Sequence, residues 1–152
     1  MKKMILATLF ASATFPAIAA NVNVHVLGKV LPVCTFVSPS DVTMTIPDMT
    51  PGIVENKQTT ADISFWCSKG TSYTVSMNDG LNGADGKKNI KLASGDVGDL
   101  IEYDLTVDKT SGVGEGGLKE NKVMLTATVA GDAYQNAKAG DYADTVVLTV
   151  AP

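Results

Sequence analysis

Polar and apolar residues alternate with a period of two along most of this chain, beginning with Asn21-Val22-Asn23-Val24-His25-Val26. Such alternation predicts a β-strand with one apolar face, because successive side chains on a strand point to opposite sides. Ile63, Phe65 and Cys67 likewise share a face, opposite Asp62, Ser64 and Ser68. In the next run Tyr73, Val75 and Met77 stand against Thr74, Ser76 and Asn78. The clearest stretch sets Ile101, Tyr103, Leu105 and Val107 against Glu102, Asp104, Thr106 and Asp108, a core side and a wet side. Val123, Leu125, Ala127 and Val129 form another apolar row, residues 141–150 a closing strand, and residues 42–46 a short one before Pro47 and Pro51.

Turn-forming residues separate these runs at 79–86, 94–98, 111–117 and 131–140. Nothing carries a helical period, and no repeat of about 20 to 50 residues points to a solenoid. About seven short strands with frequent turns predict an all-β, immunoglobulin-like sandwich rather than a barrel.

The start of the chain changes the compartment. Lys2 and Lys3, an apolar run over residues 4–11, and Ala17-Ile18-Ala19 have the form of a secretion signal with an A-x-A cleavage site. Cleavage after Ala19 leaves 133 of the 152 residues, a length suited to one domain, and cleavage after Ala20 is the alternative. No later run approaches the roughly 18 to 20 apolar residues of a membrane helix, so no direct membrane insertion is expected. In an exported chain the only two cysteines, Cys34 and Cys67, predict one disulfide. It closes a loop of 32 intervening residues, worth about 3 to 4 kcal/mol in a chain-entropy treatment. All twelve basic residues are lysines and two depart with the signal, so ten stand against sixteen acids, a net charge of −6. Nucleic acid and anionic lipid are poor partners for such a surface.

Little in the chain suggests catalysis, a cofactor or a metal. The single histidine, His25, lies on the polar face of the first strand, where a solvated side chain is the simpler reading. No nucleophile–base constellation can be assembled around it, which argues against an enzyme. Asp79, Asp85, Asp96 and Asp99 collect among glycines, but their spacing lacks the calcium-loop template with its terminal glutamate. Trp66 falls off the Phe65 parity and reads as packing or as a contact surface.

Both ends of the expected domain are strand. Val22, Val24 and Val26 at one end and Val146, Leu148 and Val150 at the other can pair within one molecule or between molecules, and periodicity does not decide.

A family resemblance covers nearly the whole mature chain. Its residues are Gly28-Lys29-Val30-Leu31-Pro32-Val33-Cys34, then Trp66-Cys67-Ser68-Lys69-Gly70-Thr71-Ser72-Tyr73, then Asn78-Asp79-Gly80 and Leu100-Ile101-Glu102-Tyr103-Asp104-Leu105. The closing Ala139-Gly140-Asp141-Tyr142-Ala143-Asp144-Thr145-Val146-Val147-Leu148 is the most specific. In these the chain resembles spore coat protein U-type domains, a family that includes pilins of archaic, Csu-type chaperone-usher pili. The segment after the first cysteine departs from the family's Phe-Gly-x-Tyr-like element and reads Met44-Thr45-Ile46-Pro47.

The resemblance implies an incomplete sandwich that lacks its last strand and is completed by donor-strand exchange. Residues 1–19 are then the signal, 20–27 the donor strand and 28–152 the pilin domain. Val22, Val24 and Val26 supply the donor side chains, and Tyr142, Val146, Leu148 and Val150 line the acceptor groove and meet the chaperone. The implied partners are identical or related pilin subunits, a periplasmic chaperone and an outer-membrane usher, and the implied destination is a surface pilus serving adhesion and biofilm formation. The alternatives are a single-domain tip adhesin or lectin-like module, and a coat protein that forms no fibre.

Overall fold

The computed structural model describes residues 19–37, 39, 41–94, 99–117 and 119–152. The expected signal segment lies outside these except for Ala19, and the expected turn at 94–98 except for Ser94. The described residues form nine strands: β1 (Cys34–Phe36), β2 (Lys57–Cys67), β3 (Ser72–Met77), β4 (Lys88–Leu92), β5 (Leu100–Val107), β6 (Ser111–Val113), β7 (Asn121–Val129), β8 (Tyr142–Ala143) and β9 (Leu148–Ala151). They build two antiparallel sheets, one ordered β1-β2-β7-β5-β4-β8 and the other β6-β3-β9. The all-β sandwich expected from the alternation is present.

Parity and register explain the core. Ile63 lies opposite Val123 and Ala61 opposite Leu125 in the β2–β7 ladder, so the inward rows of the two longest strands coincide. Phe65 and Cys67 are 0% exposed, and Tyr73 and Val75 of the smaller sheet close over them. The Phe65 and Tyr73 rings meet edge-on with centroids 5.0 Å apart, the arrangement favoured by their quadrupoles. A second cluster gathers Ile90, Ile101, Tyr103, Ala127, Val129 and Tyr134. The Cys34–Cys67 disulfide forms as expected and joins directly opposed residues of β1 and β2.

Several expectations change. Residues 21–26 follow strand periodicity but lie in no strand, because a strand is a pairing and none of the ladders among the described residues includes this segment. Residues 42–46 form no ladder either, although Met44 and Ile46 turn inward against the core. The stretch 111–117, read as a loop, contains β6, which pairs with β3. Lys88–Leu92 is a strand that its lysines hid, with Ile90 paired to Ile101. The closing strand is split: β8 joins β4 in the larger sheet, and β9 joins β3 in the smaller one.

Candidate functional site

The split of the last strand shapes the site. The chain passes from one sheet to the other between Ala143 and Leu148, which leaves β9 at the rim of its sheet with β3 on one side only. An open edge of this kind offers unpaired backbone groups to an added strand. Beside it lies a cavity of about 990 Å³ between the sheets, lined by Met44, Ile46, Leu105, Tyr142, Val146 and Leu148 among others.

A network of polar contacts fixes the crossing. Asn78 receives the Val147 N–H on its side-chain oxygen at 2.8 Å and donates its own N–H to the Val147 carbonyl at 3.2 Å. The Leu81 N–H donates to the Thr145 carbonyl at 3.1 Å. Asn82 donates both its backbone N–H and its side-chain amide to Asp144 Oδ1, each at 3.1 Å. The Tyr103 hydroxyl donates to Asp144 Oδ2 at 2.8 Å. Gly80 is required in this loop: its φ is +85°, and a Cβ there would collide with the Asp144 carboxylate. Burial, together with the hydrogen bond and charge of Asp144, holds the Tyr103 hydroxyl well above the usual phenol range.

The structure brings Tyr142, Val146 and Leu148 to the cavity wall, while Val150 is half-buried against the main core cluster. Leu148 and Val150 are likewise only half-buried although their parity matches that of Val75 and Met77 opposite. At the other end of the chain Val22, Val24 and Val26 are 84%, 78% and 91% exposed. Among the described residues, the segment that carries them is tied to the domain at its root. Ser68 Oγ accepts the Val33 N–H at 3.2 Å and donates to the Leu31 carbonyl at 3.1 Å, and the Ser68 N–H donates to the Val33 carbonyl at 2.9 Å.

The remaining candidates scatter. His25 lies on the exposed N-terminal segment. Asp79 faces Lys88 at 3.8 Å and Asp99 faces Lys138 at 2.9 Å. Among the described residues no three His, Cys, Asp or Glu side chains gather as metal ligands would. Trp66 is half-buried with Gly117 near its ring. Tyr134, inside the turn at 131–140 that the sequence predicts, is fully buried and has no counterpart among the expected core residues. Its hydroxyl donates to the Glu55 carbonyl at 2.7 Å and lies 2.9 Å from that of Ile53, tying the 131–140 turn to the loop before β2. An aromatic among alanines and polar residues gives no periodic signal; only its size pointed inward.

Fold and site together define a β-sandwich with an open edge strand, an apolar cleft beside it and an exposed alternating segment at the other terminus. The chain belongs to the Spore Coat Protein U domain family, whose model matches residues 19–149. No curated protein sequence matches it. Among solved structures it is similar to a CsuC–CsuE complex of a chaperone and a tip adhesion subunit, from archaic chaperone-usher Csu pili of Acinetobacter baumannii. Identity there is 23% and the TM-score 0.49, over 80% of this chain and 40% of that one. A chaperone–tip adhesin complex of CFA/I fimbriae matches at 16% identity and TM-score 0.43, over 77% of this chain and 40% of that one. The chain thus spans about 40% of the length of either matched structure.

Proposed function

We propose that this chain is a structural subunit of a surface fibre, a pilin that polymerises by donor-strand complementation. The observation that carries the reading is the coexistence, among the described residues, of a strand-ready segment that joins no ladder and a sheet edge with no strand beyond it. Val22, Val24 and Val26 stand almost fully in water while Leu148 at the open edge is half-covered beside a cavity. Membership of the Spore Coat Protein U domain family, some of whose members are pilins, supports it.

In this reading residues 1–19 direct export and are removed, residues 20–27 are the donor strand, and residues 28–152 are the domain that accepts one. Three or four valine-sized side chains buried in the cleft contribute roughly 5 to 10 kcal/mol, at 1.5 to 3 kcal/mol each. That rivals the stability of a whole domain, so a subunit crossing the periplasm needs its cleft covered. A periplasmic chaperone covers it first, and at an outer-membrane usher the next subunit's Val22, Val24 and Val26 replace the chaperone. Backbone bonds to β9 supply affinity and the alternate side chains set the register. The fibre at the cell surface supports adhesion and biofilm formation.

Deletion of residues 20–26 tests this. The intact protein is expected to run as a ladder of non-covalent multimers in detergent that collapses to monomer on heating, because a seated strand leaves only by breaking many contacts at once. The deleted protein is expected to bind chaperone, accept a donor and terminate fibres. A deleted protein that polymerises normally, or an intact one that is a stable monomer without chaperone, overturns the reading.

A further inference from the structure

The two halves of the proposed joint differ in charge as well as in shape. All sixteen Asp and Glu residues lie at position 41 or later. Residues 20–33 hold none, and carry Lys29 and His25. From residue 34 onward nine lysines stand against the sixteen acids, a net charge of −7, whereas residues 20–33 are at +1 with His25 neutral. A newly cut N-terminus adds an amino group that is largely protonated near neutral pH.

The cleft follows the body's sign. Asp41, Asp48, Asp141 and Asp144 border it together with a single lysine, Lys138, which is already paired with Asp99. Asp144 is engaged by Asn82 and Tyr103, whereas Asp48 and Asp141 are exposed. Parity along the N-terminal segment sets Lys29 on the same side as Asn21, Asn23 and His25, away from the valine row. In a donor segment laid with its valines on the cleft floor, Lys29, just beyond residues 20–27, would face the rim, and no ion would have to be buried.

We propose that this polarity selects the donor. Lys29 and the mature amino terminus, against Asp48 and Asp141 at the cleft mouth, specify the N-terminal segment of a second copy of this chain. The inference rests on the donor-strand reading and adds to it a basis for partner choice. Opposite charges steer the segment to the cleft and speed association, while the acidic bodies repel one another and so disfavour contacts that lack this local pairing. A donor strand with acidic residues beside its valines is disfavoured by the same field.

The test uses the whole mature chain carrying Val24→Asp, which disables its own exposed donor segment, and a synthetic peptide of residues 20–31 as probe. At low ionic strength the wild-type peptide is expected to bind about five-fold more tightly than a Lys29→Glu peptide, the scale of a rim ion pair. High salt should erase the difference, and Asp48→Asn with Asp141→Asn in the receptor should shrink it. Equal binding of the two peptides at low salt, or discrimination unaffected by the two Asn substitutions, overturns the charge inference and leaves the cleft reading standing. A Val24→Asp peptide that binds as well as the wild type, or a wild-type peptide that does not bind at all, overturns the cleft reading itself.

Discussion

The two sides of this sandwich use the same side chains to different ends. On the side of β1, β2 and β7, an inward row of Ile63, Phe65 and Cys67 meets Val123 and Leu125 and is sealed, each residue under a tenth exposed. On the side of β8 and β9, an inward row of Val146, Leu148 and Val150 is just as apolar and only half-covered. The chemistry of the rows does not differ; the number of neighbouring strands does. Burial belongs to the pairing and not to the residue, so an incomplete core shows itself as a correct pattern left partly exposed.

Substitutions on the two sides should separate them. Phe65→Ala on the sealed side is expected to cost about 3 to 5 kcal/mol in denaturant unfolding, since it empties space that the core cannot refill. Breaking the bridge with Cys34→Ser and Cys67→Ser together should cost about 3 kcal/mol, measured the same way, through the freed unfolded chain. On the open side Leu148→Asp should cost the isolated subunit only about 1 to 2 kcal/mol, since its carboxylate can stay hydrated. If the chain assembles as proposed, fibre yield from the same variant should nonetheless collapse, because a seated donor would seal that charge among valines. Equal losses in isolated subunit and fibre would erase the distinction between the two sides.

The smallest expected effect is at the crossing between the sheets. Tyr103→Phe removes one hydrogen bond to Asp144 and should cost about 1 kcal/mol. It should also alter the alkaline limb of the stability profile. The folded-state pKa of Tyr103 lies above its unfolded value near 10, so the native state keeps a proton that the unfolded chain releases. The resulting stability is complete below about pH 10 and is lost as pH rises beyond it. Unfolding free energies of wild type and Tyr103→Phe measured from pH 8 to 11 should therefore converge at the alkaline end, and parallel profiles would place the shift elsewhere.

What could be read from the sequence followed from locality. The inward rows of β2, β3, β5 and β7 obey a two-residue period that is visible without a partner, and the lone cysteine pair admitted one bridge. Non-local facts could not be read. Residues 42–46 have strand parity but no ladder, Lys88–Leu92 is made a strand by β5, and the division of 141–150 depends on which sheet each half meets. At the site, the alternation of Val22, Val24 and Val26 was legible, whereas the clamp of Asn78, Asn82 and Tyr103 on residues 144–147 was not. It joins residues about 40 to 70 positions apart, a separation at which sequence carries no geometric signal.

The root of the N-terminal segment has a mechanical meaning. In a fibre of the proposed kind, pulling on a subunit's donor strand loads its chain first at Leu31 and Val33, which Ser68 grips. The next residue is Cys34, bonded covalently to Cys67 at the end of β2. Tension therefore passes through a covalent joint into the longest strand of the molecule and spreads by shear across the nine paired positions of β2 and β7. Many ladder bonds must then yield together, whereas an unbridged edge strand of three residues could peel away one bond at a time. In such a fibre the disulfide would stand where stretching would otherwise begin to unravel the subunit, so a reduced fibre should rupture at lower force while keeping the same joints between subunits.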